Sequence, residues 1–225
     1  MANTQTIDLT ELQEKLLTMA SHAEAAVNHA VKALLRRDDE LARRTREDDS
    51  LIDALEMEID ESAIGLLARQ PAAFELRLIT TAMKISHDLE RVGDEATTIS
   101  RRCLELSLEP PLRHTEKIPQ LAAPALALLK EALDTFVNQD PAKARQLIPQ
   151  DEAIDQLHKE LHRELVAYMR EQPEAIKRAL SLMVVAKCLE RIADHATNIA
   201  EMVVFLCEGR DIRHTGIKSA GRKQR

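Results

Sequence analysis

Aromatic residues and glycines are scarce in this sequence. Its 225 residues include no tryptophan, one tyrosine and three phenylalanines, and glycine occurs only five times. So few aromatic rings argue against a surface on which nucleic acid bases would stack. Alanine, leucine, glutamate and arginine dominate instead, and all four favour helices. We therefore expect an all-α protein without a β-sheet.

Long hydrophobic runs are also missing. No segment approaches the ~18 to 20 apolar residues of a membrane-spanning helix, and the opening stretch MANTQTIDLTELQ is polar. The sequence thus predicts neither export nor membrane insertion, and we expect a cytoplasmic protein. Lysine and arginine number 31 against 38 acidic residues, a formal net charge of −7. This balance disfavours general attraction to nucleic acid or anionic lipid.

The three cysteines, Cys103, Cys188 and Cys207, are odd in number and lack CxxC spacing. This pattern argues against a disulfide framework and against a thiolate zinc site. We expect them to be reduced packing residues.

An internal repeat organises the chain. The stretch LERVGDEATTIS at residues 89–100 returns as LERIADHATNIA at residues 189–200, with seven of twelve positions identical and a constant offset of 100. Earlier in each copy the offset is 102. At that offset Asp49, Ile52 and Asp53 correspond to Asp151, Ile154 and Asp155. One length change of two residues explains both offsets, which indicates duplication of a single folding unit.

Prolines and short acids divide each copy into three helices. Asp38 and Asp140 are suited to begin the second helix of each copy, because an aspartate side chain can accept hydrogen bonds from the unpaired amides of the first turn. Pro141 suits the first helical position. Pro71 and Pro173 are predicted to open the third helix of each copy.

The fold class that follows is two tandem three-helix bundles with six long helices. We predict a first repeat at residues 1–107, a linker at 108–115, a second repeat at 116–209 and a disordered basic tail at 210–225. Pro119 and Pro124 leave two possibilities for the fourth helix, a late start or a kink.

Apolar residues in the third helix of each copy recur in alternating steps of four and three, as in a bundle seam. In the first copy they are Leu78, Ala82, Ile85, Leu89, Val92, Ala96, Ile99, Cys103 and Leu106. In the second copy they are Leu182, Val185, Leu189, Ile192, Ala196, Ile199, Val203 and Leu206.

Each copy also carries two carboxylate pairs at i and i+4. With Leu89 on the seam at 0°, Glu90 lies at about 100° and Asp94 at about 140°, so this pair is predicted to face away from the core. The candidate metal-ligating residues are Asp49, Asp53, Glu90, Asp94, Asp151, Asp155, Glu190 and Asp194. If the second and third helices are neighbours, four carboxylates of each copy converge and can bind cations through oxygen.

Other interpretations of these acids remain open. Solvated faces of helical bundles are commonly acidic, Arg91 and Arg191 are an alternative source of neutralisation, and His87 and His195 can supplement the pairs. A metal-dependent enzyme is the alternative function, since eight paired carboxylates can hold a polynuclear centre. However, phosphate-binding loops, nucleophile elbows and inward Glu-x-x-His pairs are missing, so we expect no enzyme.

The two motifs LER(V/I)(G/A)D(E/H)AT, each preceded by Asp-x-x-Ile-Asp on the previous helix, resemble the PhoU family. The resemblance covers about residues 5–210, and its most specific parts are KISHDLERVGDEA, CLERIADHATNIAEMV and LCEGRDIRH. It implies two similar three-helix bundles with metal clusters on their surfaces, held by the eight acids above. The metal ions would be divalent or trivalent, with Fe, Zn, Mn and Mg all open.

Three positions depart from the family pattern. Glu95 and Thr98 stand where the family more often has His and Asn, as at His195 and Asn198 in the second copy. Pro149 replaces an acidic residue that corresponds to Glu47. We therefore expect the two metal sites to differ.

The resemblance further implies a negative regulator of the phosphate-starvation response that modulates phosphate uptake. Such a protein would act as a cytoplasmic adaptor between the ATPase of the phosphate ABC transporter and the sensor histidine kinase of the phosphate regulon. It would also form a homodimer. No nucleic acid is expected among its partners.

Overall fold

Helices account for nearly all of the regular structure. The computed structural model describes the backbone of residues 2–213 and the side chains from residue 8 onward. The helices are α1 (Ala2–Arg36), α2 (Asp39–Glu47), α3 (Asp49–Leu67), α4 (Ala73–Ser107), α5 (Ile118–Asn138), α6 (Pro141–Leu147), α7 (Asp151–Glu171) and α8 (Ile176–Glu208). Short 3-10 turns lie at Arg113–Lys117, Ile148–Gln150 and Pro173–Ala175. No strand occurs within residues 2–213, which confirms the all-α prediction.

The second helix of each copy is broken in two, although the sequence pattern predicted one helix. In the second copy the 3-10 turn Ile148–Gln150 separates α6 from α7, because Pro149 has no amide hydrogen to donate. In the first copy the break falls at Asp48. Acids at a helix C-terminus are unfavourable and acids at an N-terminus are favourable, so the run Glu47, Asp48 and Asp49 favours ending α2 and starting α3.

The predicted N-terminal caps are confirmed. The Asp38 carboxylate accepts a hydrogen bond of 3.0 Å from the Leu41 amide, and the Asp140 carboxylate accepts one of 2.9 Å from the Lys143 amide. The third helices begin slightly later than their prolines, with α4 at Ala73 and α8 after a 3-10 turn.

The fourth helix, α5, begins at Ile118 with Pro119 in its first turn, and it continues through Pro124. The predicted linker ahead of it is packed. Its His114 side chain is buried and lies against Tyr168, with the ring centroids 4.8 Å apart.

The centre of the fold is the packing of α4 against α8. Every predicted seam residue of both helices is buried, and Leu89, Val92 and Ile192 are fully inaccessible to solvent. One continuous hydrophobic core joins the two halves, so the bundles share an interior.

Polar contacts across this seam show that α4 and α8 run antiparallel. Asp88 lies 2.8 Å from His195, Glu95 lies 3.0 Å from Arg191, and Glu105 accepts a hydrogen bond of 3.1 Å from Ser181. As the residue number rises in α4, it falls in α8. The two copies are therefore related by an approximate two-fold axis, which passes near the middle of both helices.

The chain ends and the cysteines complete the described fold. Ile212 is buried against the core, so packing extends into the predicted tail, and residues 214–225 lie outside the described part of the chain. Cys103 and Cys188 are buried and all three thiols are free, as expected for packing residues. Within residues 2–213, no helix combines the length and the hydrophobicity that crossing a membrane requires.

The two capping aspartates generate the first prediction. Replacement of Asp38 by Ala removes the acceptor for the Leu41 amide and is expected to cost about 1 kcal/mol, or roughly 2 to 4 °C in melting temperature for a chain of this size. Asp140→Ala should behave alike, while Asp38→Asn retains the acceptor and should melt close to wild type. Thermal denaturation followed by circular dichroism measures the difference, and equal melting of the Ala and Asn variants would contradict the capping role.

Candidate metal centre

The first acidic patch lies where α3 packs against α4. Asp49 and Asp53 project from α3, and Glu90 and Asp94 project from α4. Gly93 makes the close approach possible: a Cβ atom at this position would lie 2.9 Å from the Ile52 Cδ1 atom and 3.0 Å from the Asp49 Oδ1 atom. The second copy has Ala193 at the equivalent position.

The four carboxylates of this patch are close enough to influence each other. Burial raises the pKa of Asp49 above its ordinary value, and the negative charges of Asp53 and Asp94 raise it further, with the Thr97 hydroxyl opposing them. Burial also raises the pKa of Glu90, as does the charge of Asp94, while Arg91 opposes the shift. The structure thus brings all four predicted residues of the first copy into one patch.

These acids are less exposed than the sequence pattern predicted. The Glu90 and Glu190 side chains are only 14 and 12% exposed, whereas the Asp94 side chain is 48% exposed and Asp53 is exposed. The reason is that the 100° direction on α4 or α8 points into the groove beside the neighbouring helix, not into open water. Partial burial strengthens the electrostatic interaction with any cation bound there.

Two further ligand candidates lie in the first patch. Glu56 on α3 and His87 on α4 join Glu90, and one donor atom of each lies within 4.8 Å of the other two. The His87 Nδ1 atom is 3.3 Å from the Glu56 Oε1 atom. His87 was considered from sequence, but Glu56 was missed. Its position, three residues after Asp53 and so on the same side of α3, is a signal that would have found it.

A guanidinium group partly neutralises the first patch. Arg91 lies 2.8 Å from carboxylate oxygens of both Glu90 and Asp94. Its hydrogen-bond geometry toward the buried Glu90 Oε2 atom is poor, so this oxygen lacks a hydrogen-bond partner. Such an atom suits a cation, which needs no directional donor. The oxygen-rich donor set with one imidazole therefore fits a divalent metal ion.

The second acidic patch is built from α7 and α8. Asp151 is the first residue of α7, Asp155 follows one turn later, and Glu190 and Asp194 lie on α8. Here two lysines supply counter-charge: Lys187 forms an ion pair with Glu190, and the Lys159 Nζ atom lies 3.6 Å from the Asp155 Oδ2 atom. The second patch thus carries more internal positive charge than the first.

A histidine also borders the second patch. Burial lowers the pKa of His158, and nearby Lys187 contributes to the shift while Glu190 opposes it. The lowered pKa favours the neutral ring, which can offer a nitrogen lone pair.

Glu95, one of the departures from the family pattern, lies at the interface of α4 and α8, as do its counterpart His195 and the nearby Asn198. Arg191 pairs with Glu95 across the seam, and its charge also interacts with Glu190 of the second patch. His195 and Asn198 both contact Asp88 of the first half, at 2.8 and 3.2 Å. These side chains join the halves, and His195 does not supplement the acids of its own copy.

Both patches border one open cleft between α4 and α8. Asp94 and Asp194 line it together, and its volume is about 1010 Å³. Cationic side chains from both halves, among them Arg46, Arg101 and Arg191, also face this cleft. The two-fold arrangement of the third helices accounts for this proximity, because both motifs lie near the middle of their helices.

These features define a class of protein: a tandem repeat of helical bundles with a carboxylate patch on each half. The sequence model of the PhoU domain matches residues 16–103 and again residues 118–203. The chain therefore belongs to the PhoU domain family, which confirms the resemblance seen in the sequence.

Individual relatives agree over most of the chain. The phosphate-specific transport system accessory protein PhoU homolog of Pseudomonas putida is 42% identical, and the alignment covers 94% of this chain and 83% of the relative. The crystal structure of PhoU from Pseudomonas aeruginosa is 40% identical, with a TM-score of 0.88 and coverage of 91 and 99%. That of the phosphate transport system regulatory protein PhoU from Streptococcus pneumoniae is 28% identical, with a TM-score of 0.86 and coverage of 92 and 99%.

The crowding of carboxylates around Asp49 generates the second prediction. Because folding raises the pKa values of Asp49 and Glu90, the metal-free fold loses stability as the pH rises above their ordinary values of 3.8 and 4.5. Asp49→Asn removes the negative charge that repels Asp53 and Asp94. The change should stabilise the metal-free protein at pH 7 by roughly 0.5 to 1 kcal/mol.

Thermal melting in the presence of a chelator measures this effect, which corresponds to about 1 to 4 °C. The gain should shrink as the pH is lowered, since Asp49 then becomes protonated in the wild type. Asp134→Asn, which alters an exposed acid on α5, is the matched control and should leave the melting temperature unchanged. A destabilised Asp49→Asn variant at pH 7 would contradict the prediction.

Proposed function

We propose that this protein is an accessory regulator of phosphate transport. The proposal is carried by the match of both repeats to the PhoU domain and by 42% identity, over 94% of the chain, to a protein named for the phosphate-specific transport system. The residues that match the PhoU domain, 16–103 and 118–203, span both halves. Because the match extends over both halves, we assign to this protein the accessory role for which its relatives are named.

In finer terms, the protein is a cytoplasmic adaptor that negatively regulates the phosphate-starvation response. It contacts the ATPase of the phosphate ABC transporter and the sensor histidine kinase of the phosphate regulon. When phosphate is plentiful, the adaptor keeps the kinase from activating its response regulator, and it modulates phosphate uptake through the transporter. A homodimer is the proposed assembly.

The surface of the molecule supports docking. The helices α1, α4 and α8 each exceed 30 residues and present long, continuous faces. The carboxylate patches and the cationic residues of the central cleft form adjoining regions of opposite charge, which favour specific orientation of a partner.

Metal binding is part of the proposal. Asp49, Asp53, Glu90 and Asp94 would hold a cation in the first half, and Asp151, Asp155, Glu190 and Asp194 are the corresponding residues of the second half. Iron, zinc, manganese and magnesium all accept carboxylate oxygens. A bound cation would offset the repulsion between the carboxylates of a patch. It would also place a fixed positive charge at the rim of the cleft.

A metal-dependent enzyme is the second candidate function. The observation in its favour is the cleft of about 1010 Å³ that borders both patches and has room for a small molecule. Assays of metal-loaded protein on phosphoester and redox substrates separate the two functions, because the adaptor shows no turnover and the enzyme does.

The regulatory role generates the third prediction. A strain that lacks this protein should express its phosphate-scavenging genes in rich phosphate, because the kinase is no longer restrained. Tagged protein recovered from the native cell should carry the transporter ATPase and the sensor kinase, identified by mass spectrometry. Continued repression in the deletion strain would count decisively against a negative regulator, and reintroduction of the wild-type gene is the control for secondary mutations.

The metal-binding role generates the fourth prediction. Simultaneous replacement of Glu90 and Asp94 by Ala removes two oxygen donors from the first patch and should lower the metal content of the purified protein. The fold should survive, because neither side chain belongs to the apolar seam. Elemental analysis and circular dichroism measure the two effects, with Asp134→Ala as the control. Unchanged metal content in a folded double variant would refute the site.

A further inference from the structure

The two acidic patches differ at positions that correspond by the internal repeat. Glu56, His87 and Glu90 of the first half align with His158, Lys187 and Glu190 of the second half, by the offsets of 102 and 100. One glutamate is thus shared, while a histidine is exchanged for a lysine and a glutamate for a histidine. Because the halves share one fold, the effect of each exchange on metal binding can be judged by comparing the two patches.

In the first half these three positions form a group of metal donors. Their donor atoms lie within 4.8 Å of one another, whereas atoms bound to one ion at about 2.0 to 2.2 Å lie no more than ~4.4 Å apart. A small movement of side chains is therefore enough to close the site. His87 is 61% exposed and free to make that movement.

In the second half the equivalent group already contains a cation. The Lys187 ammonium stands at the position of the His87 imidazole and forms an ion pair with Glu190. An ammonium group has no lone pair to donate to a metal, and its charge repels a second cation. The position of Lys187 therefore favours a positive charge. In the second half the lysine itself supplies that charge, so a metal ion is not needed there.

Arg91 does not play the same role in the first half. It pairs with Glu90 and Asp94, but it occupies none of the three donor positions. A metal ion can displace it into solvent without the loss of a ligand. Displacement of Lys187, in contrast, leaves the second site without its third donor.

We infer that the two halves bind metal unequally. The first half holds a transition metal ion through Glu56, His87 and Glu90 beside the carboxylates of Asp49, Asp53 and Asp94. In the second half Lys187 stands in the place of one donor and pairs with Glu190, so this half binds such an ion weakly. This inference rests on the proposed metal binding of the patches, and it adds the two residues Glu56 and His87 and the exclusion of metal by Lys187.

Reciprocal exchange between the halves tests the inference. Mn²⁺ is the probe, titrated into full-length protein by calorimetry, with histidine imidazole resonances followed by NMR because bound Mn²⁺ broadens signals nearby. In the wild type we expect one tight site per chain, with His87 broadened at lower Mn²⁺ concentration than His158. His87→Lys should weaken the tight site by roughly tenfold or more, and Lys187→His should create a second tight site that broadens His158.

Controls keep the outcomes distinct. His29→Lys, an exposed histidine on α1, should leave Mn²⁺ binding unchanged, and His87→Asn provides a neutral variant should His87→Lys fold poorly. Equal broadening of His87 and His158 in the wild type, or unaltered affinity in His87→Lys and His87→Asn, would overturn the inference while leaving metal binding intact. A complete lack of Mn²⁺ binding by the wild type and by Lys187→His would overturn metal binding as well.

Discussion

The antiparallel packing of α4 against α8 is the constraint on which the rest of the structure depends. Its fully buried core includes Leu89 and Ile192, and nearly every other helix packs on one of these two. Because the repeated motif lies near the middle of each helix, the approximate two-fold axis brings Asp94 and Asp194 to one cleft. The halves are thus joined where their acidic patches lie, and neither patch is remote from the other.

Much of this fold can be predicted from sequence because the signals are local or periodic. The seam follows from helical spacing, the caps follow from Asp38 and Asp140, and the duplication follows from two constant offsets. The break at Asp48 was missed because it reflects a small preference of charged residues at helix ends, which a pattern of apolar residues does not contain. The shared core was missed too, since two bundles that are separate and two that pack together have the same periodicity.

The sequence indicated which acids of the first copy lie together, but not which other side chains they contact. Four carboxylates of the first copy do converge, as the paired spacing indicated. The joining of Glu56 to the first patch depends on which faces of α3 and α4 meet. The partners of Arg91 and Arg191 differ as well, although the two residues correspond, since Arg191 reaches across the seam to Glu95. These contacts depend on how the neighbouring helix packs, which the spacing of residues in a single sequence does not reveal.

The polar contacts across the seam also have a consequence for assembly. Asp88 meets His195, and at the related place Cys188 meets Glu95. Two first halves placed together in the same way would set Asp88 against Glu95 twice, with acid facing acid. The seam therefore discriminates between unlike and like halves, and it opposes the pairing of two first halves from neighbouring chains.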